Sequence, residues 1–266
     1  MKKKKKQNHK KRYKREQRMF FFQTSIEVER TYTGNYGAPG KKRAKKEKPS
    51  EEQIARQNQY NREKLLRRII KENFSEDDYW VLLTYIKGYR TDIKEAKKDF
   101  SRFIRILRRE YRKKGYELKW IVRTEVGEKG AAHHHLMANR IPDGDIIIKK
   151  CWRKITGAGF PSYKPMYEEG GYKGLAHYIT KPPEDEGIER NYSRSRNLSI
   201  PEPEIKRAIK REMREYPEAI PGYYIDPDSV HMGVNPVTGH EYQHFIMYKL
   251  GCGQFESAGS RKGGNG

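Results

Sequence analysis

Residues 117–141 limit the fold more than any other stretch of this chain. Two strand-like runs, Glu117–Val126 and His133–Ile141, flank the connection GEKGAA, whose glycines read as a hairpin turn. Three consecutive histidines, His133, His134 and His135, open the second run. Side chains alternate between faces along a strand, so a hairpin must divide them. His133 and His135 share one face, about 6.6 Å apart at Cα by strand rise, and His134 points the other way. Leu136 shares the face of His134, which marks that face as core-like. Glu125, on the preceding strand close to the turn, falls beside His133.

A lone histidine on a half-buried strand more often packs and hydrogen-bonds than binds an ion. A His-X-His pair facing a carboxylate across a turn is a different case. Two neutral imidazoles and one carboxylate leave coordination positions open for water and a phosphate oxygen, as a catalytic ion requires. This donor set accepts Mn²⁺, and Mg²⁺ less comfortably. The expected ligands are therefore Glu125, His133 and His135.

The chain has 19 tyrosines, so none is marked by type alone. Tyr178 stands out by context in GLAHYITK (174–181), on a short helical segment with Lys181 one turn along the same face. A phenol with a pKa near 10 is a poor nucleophile while protonated, and a neighbouring ammonium favours the phenolate. Tyr178 is a candidate nucleophile and Lys181 its helper, set against the ordinary reading of a tyrosine packed at a core edge.

Charge narrows the class of partner. Lys and Arg total 58 against 35 acidic residues, a formal net charge of +23. Such a surface binds polyanions through phosphate contacts and counterion release. No apolar run is long enough to span a bilayer, and no secretory signal is recognised, so the expected setting is intracellular and away from membranes. Two cysteines, Cys151 and Cys252, make neither a disulfide framework nor a cysteine zinc cage.

Residues 1–49 read as a basic, disordered arm, with eleven Lys/Arg in the first 18 positions and a second patch at Lys41–Lys48. Ser50, followed by two glutamates, starts a helix running to about Lys71, and 78–86 reads as a strand. Thr91–Asp92 opens a long amphipathic helix with Gly115 at its end. After the hairpin come a helix (145–154), a short strand (160–163) and a helix (172–181). Residues 189–201 read as a polar loop, 203–216 as a helix, 223–250 as strand pieces and 253–266 as a flexible tail. The order gives an α+β fold, a mainly antiparallel sheet with helices on one face. The core domain is placed at 50–188, with a C-terminal extension over 189–252.

Taken in order, three motifs resemble those of the HUH endonuclease superfamily, and within it the single-tyrosine rolling-circle replication initiators. WVLLTY (80–85) resembles the first motif, HHHLM (133–137) the His-hydrophobic-His motif, and YITK (178–181) the Tyr-X-X-Lys motif. The resemblance covers about residues 75–185. His134 departs from it, because the family usually has a bulky apolar residue there.

The resemblance implies an RRM-like sheet fold with the metal pair on a central strand and the tyrosine on an adjacent helix. It implies nicking of single-stranded DNA at an origin hairpin, through a 5′-phosphotyrosine link that leaves a free 3′-OH. In that scheme Glu125, His133 and His135 hold the divalent ion, Tyr178 attacks, and Lys181 steadies the phosphate. The setting implied is the cytoplasm of a bacterial host. No GxxxxGK(S/T) loop occurs, so duplex unwinding is expected from a separate helicase or from an already extruded hairpin. The competing readings are a transposase or mobilisation relaxase with the same site, and a non-catalytic basic DNA-binding protein.

Overall fold

A computed structural model describes residues 14–33, 50–89, 91–127, 130–164, 166, 169–182, 192–235 and 239–251. The basic patch at 41–48, Cys252 and the tail at 253–266 lie outside these residues. So do most of the arm, the centre of the hairpin connection and part of the loop after Pro182.

The chain begins with strands β1 (Arg15–Phe21) and β2 (Ser25–Tyr32). Helix α1 (Glu51–Asn73), strand β3 (Tyr79–Thr84), helix α2 (Ile93–Lys113) and strands β4 (Trp120–Val126) and β5 (Ala132–Ala138) follow. Next come helix α3 (Gly144–Thr156), strand β6 (Phe160–Lys164), a 3₁₀ turn (Glu169–Tyr172), helix α4 (Lys173–Thr180) and the short strand β7 (Ser193–Arg194). Strands β8 (Glu204–Arg207), β9 (Tyr223–Ile225), β10 (His231–Val234) and β11 (Glu241–Lys249) complete it. The chain divides into two compact units, residues 49–201 and residues 1–48 with 202–266.

In the unit of residues 49–201, the sheet order is β6-β3-β5-β4-β7, every pair antiparallel. This is the α+β architecture expected, with β5 at the centre. Val81, Leu83, Val122, Leu136 and Ala138 face one core. Phe103, Leu107 and Tyr111 of α2 and Ile148 and Trp152 of α3 fill it. Burying each such large side chain contributes about 1.5–3 kcal/mol before the entropy of ordering is subtracted. The other face carries Trp80, Ile121 and Met137, covered by Leu66, Ile69 and Ile70 of α1 with Ala176 and Ile179 of α4. Helices therefore cover both faces, not the single face expected. The apolar positions of α1 and α4 are satisfied only by the second face of the sheet.

Local chemistry explains where the helices begin. Ser50 Oγ accepts from the Gln53 amide while Gln53 Oε1 accepts from the Ser50 amide, a reciprocal cap of α1. Asp92 Oδ1 accepts from the Glu95 amide at 2.8 Å to open α2. That helix ends before Gly115, whose φ of +84° suits a residue without a Cβ.

The other unit is a six-stranded sheet of order β10-β11-β2-β1-β8, with β9 also on β11. Met19, Ile26, Val28, Phe245 and Met247 form its core. Arg30 links three strands by donating to Gln17 Oε1 and Gln243 Oε1, both at 2.7 Å. Two expectations differ here. The arm placed at 1–49 is ordered sheet over 15–32, because Met19, Ile26 and Val28 have apolar partners some 220 residues away in sequence. The helix expected over 203–216 is absent: Glu204–Arg207 pairs with β1, and turns follow. Strand pairing there overrides a sequence of good helix formers. The extension expected over 189–252 divides after residue 201.

Gly159 shows how closely α3 is seated on the first sheet. A Cβ there would lie 2.5 Å from Trp152 Nε1 and 2.8 Å from the Thr84 carbonyl, the two atoms joined by the indole hydrogen bond of 2.8 Å. We expect Gly159→Ala to lower stability by about 1–3 kcal/mol, read from the urea midpoint at unchanged slope.

Candidate metal and tyrosine site

The β4–β5 hairpin sets the site. Its register pairs Glu125 with His133, Arg123 with His135 and Ile121 with Met137, so all six side chains share one face. Gly130, at φ +71°, closes the turn by donating to the Gly127 carbonyl. His134 points into the opposite core, fully buried, as its alternation requires.

Glu125 is the centre of the cluster. Its Oε1 lies 3.2 Å from His133 Nε2, 3.1 Å from His135 Nε2 and 2.5 Å from the Tyr178 hydroxyl. Its Oε2 accepts from Arg123 Nε at 2.7 Å. Ligand atoms of Glu125, His133 and His135 lie within 4.8 Å of one another, the spacing of a group that can hold a metal ion. The three residues assigned from the sequence are thus brought together.

Tyr178 joins them from α4. The helix is held to α1 by apolar packing and by two polar contacts. Gln59 Nε2 donates to Thr180 Oγ1 at 3.1 Å, and His177 Nδ1 lies 3.0 Å from Glu63 Oε1. This places the Tyr178 hydroxyl 2.6 Å from His135 Nε2. Trp80 frames the pair, stacked on His135 at 5.6 Å and edge-on to Tyr178 at 6.3 Å. Lys181 follows at the end of α4 with an exposed side chain, and its backbone carbonyl faces the cluster's arginine.

That arginine, Arg123, was not singled out in the sequence. It is 4% exposed. Besides Glu125, it donates from one terminal nitrogen to the carbonyls of Ile179 and Lys181, at 3.3 and 2.6 Å. Its guanidinium lies 5.6 Å from the Tyr178 ring centroid. It therefore bridges the carboxylate, the C-terminal end of α4 and the tyrosine ring. The available signal was its place two residues before Glu125, on the same strand face.

The protonation states follow from this arrangement. Burial alone would raise the Glu125 carboxyl pKa, but hydrogen bonds from His133, His135, Arg123 and Tyr178 outweigh it and hold it far below the usual range. The Glu125 hydrogen bond raises His133. Burial, reinforced by Glu125, raises Tyr178 and keeps the phenol protonated. Burial pushes His134 down to about 3, so it is a neutral core residue.

The donor set fits a divalent cation. His133 Nδ1 faces the Ala131 carbonyl at 3.3 Å, so the hydrogen belongs there and Nε2 is the inward ligand atom. Both inward imidazole nitrogens and Glu125 Oε1 surround one point, where a cation replaces the protons that now neutralise the carboxylate.

Two outcomes test this geometry. His134 keeps one hydrogen bond, Nδ1 to Thr124 Oγ1 at 2.8 Å, while its buried Nε2 has no partner. We expect His134→Leu to keep Mn²⁺ affinity and leave stability unchanged or about 1 kcal/mol higher, whereas His135→Leu loses Mn²⁺ binding by calorimetry. Arg123→Met strands a partly buried carboxylate, and we expect it to cost about 3 kcal/mol in urea unfolding.

No curated protein and no solved structure matches this chain significantly. One family model does match, that of the replication-associated protein ORF2, over residues 78–183. The matched stretch is under half the chain, but it runs from β3 through α4 and contains the whole carboxylate–histidine–tyrosine cluster. By that match, residues 78–183 belong with the replication-associated proteins of the ORF2 family.

Proposed function

We propose that the chain is a replication initiator that nicks and rejoins single-stranded DNA through Tyr178, with a divalent ion held by Glu125, His133 and His135. The observation that carries the reading is the place of the Tyr178 hydroxyl, 2.6 Å from His135 Nε2 and 2.5 Å from Glu125 Oε1. A nucleophile and a metal-binding group are thereby held side by side. The family match supports a replication role, and the net charge of +23 suits a DNA substrate.

When bound, the ion supplies Lewis-acid polarisation of the scissile phosphate. The side chains do the rest. Trp80 and His135 fix the ring of Tyr178, so the attacking oxygen needs little further ordering. Glu125 accepts the phenolic hydrogen bond and is the acceptor within reach for its proton. Arg123, beside the same ring, favours the phenolate and offsets charge on the phosphoryl oxygens. Tyr178 Oη bonds to phosphorus as the bond to the 3′ oxygen breaks, leaving a 5′-phosphotyrosine and a 3′-OH. Reversal of the same step rejoins the ends. Lys181, at the helix end, is assigned to the phosphate.

A denaturing gel with single-stranded origin DNA and Mn²⁺ tests the reading. We expect a covalent protein–DNA band with the 3′-labelled strand only, dependent on metal and absent in Tyr178→Phe, which still binds DNA. Intact binding with no adduct on any strand would replace the enzyme with a non-catalytic DNA-binding protein.

A further inference from the structure

At the opposite end of β4 from Glu125, a cavity of about 480 Å³ is lined by Arg108, Arg112, Arg194 and Arg196 around Trp120. Strand rise puts it about 17 Å from Glu125 along β4. Arg108 and Arg112 are one turn apart on α2, on one helix face. The other two lie on the segment 194–196, which is fixed to the sheet edge. Arg194 pairs with Ile121, the Ser195 amide donates to the Trp120 carbonyl at 2.9 Å, and the Trp120 amide donates to Ser195 Oγ at 3.0 Å.

Two features distinguish this cluster from ordinary surface arginines. On the same helix, Arg102 pairs with Glu95 and Asp99, and Arg109 with Glu110. Among the described residues, none of the four cavity arginines is in an ion pair. Glu117 is the one carboxylate in the wall, and it is contacted by Asn197 Nδ2 at 3.5 Å. Converging like charges repel, and that cost is relieved only by an anion. The second feature is the Trp120 indole Nε1, a buried donor without a hydrogen-bond partner. Leaving such a donor unpaired is unfavourable, and an acceptor in the cavity would satisfy it.

We propose that this arginine cavity binds the phosphodiester backbone of the same DNA strand that is nicked at Tyr178, several nucleotides from the cleaved bond. Guanidinium forks suit phosphate oxygens, and an anchor at a fixed distance from the cluster sets which bond reaches the tyrosine. The proposal rests on the strand-nicking reading for the identity of the DNA. Its test is a binding measurement without chemistry, so the two can fail separately.

The experiment uses the full chain carrying Tyr178→Phe, with chelator present, and oligothymidylate as probe. Arg108, Arg112, Arg194 and Arg196 are changed together to Gln. The control changes Lys149, Lys150, Arg153 and Lys154 to Gln, removing equal charge from exposed positions on α3. We expect the cavity variant to bind at least about tenfold more weakly, with a salt slope shallower by about 0.7 per lost phosphate contact. The control should stay near the parent. In NMR spectra, the Trp120 indole resonance, assigned through Trp120→Phe, should shift on titration while that of the core residue Trp152 stays fixed. Equal losses in both variants, or an unmoved Trp120 resonance, would overturn the proposal. So would thymidine monophosphate binding that depends on the four arginines while oligothymidylate binding does not, since the cavity would then serve a free phosphate.

Discussion

The pairing of Glu125 with His133 across the β4–β5 turn governs the rest of the site. A slip of one residue in that register would send Glu125 and Arg123 to the face of α2 and α3. It would bury two charges in an apolar core and leave His133 and His135 facing Ile179 without a carboxylate. The buried outline of the opposite face prevents this: Val122, Leu136 and Ala138 must stay under α2 and α3. The large core on one face thus fixes the chemistry on the other. This gives a function to His134, the unusual member of the histidine run. Whatever side chain occupies that position belongs to the core, and its two neighbours then turn toward the cation site.

Much of this was legible before any coordinates. Period-two alternation divides the histidines, a glycine-bearing connection returns the chain, and the nearest carboxylate before the turn is Glu125. These are local signals, spanning fewer than twenty residues. Tyr178 was legible for a different reason, the motif YITK in its order after the histidines. Its distance to His135 depends on α1, which seats α4 through Gln59 and Glu63. Nothing in the local sequence of α4 announces that support.

What was not legible depends on long sequence separations. The strand β2 pairs with β11, joining residues 25–30 to 243–248. A charge-rich run such as SIEVERTY looks like tail until its partner strand is known, because its alternating Ile26 and Val28 have no apolar neighbour nearby in sequence. The same holds for Glu204–Arg207, where helix-forming residues become the edge partner of β1. Arg123 was missed on other grounds. A single arginine in a chain with 58 basic residues carries no signal, and only its burial separates it from the rest.

Arg123 also resolves a tension within the cluster. Glu125 serves two opposed purposes, since a carboxylate that attracts a cation also holds the Tyr178 proton in place. An unscreened Glu125 would raise the phenol further and disable the nucleophile. Arg123 takes up one carboxylate oxygen, Oε2, and leaves Oε1 for the histidines and the tyrosine. The same guanidinium lies beside the Tyr178 ring and closes on the carbonyls at the end of α4. One buried charge therefore limits the field of the carboxylate, favours the phenolate and fixes the helix that carries it. A lysine could not do this, because its single ammonium lacks the fork that reaches Glu125 and the helix carbonyls together.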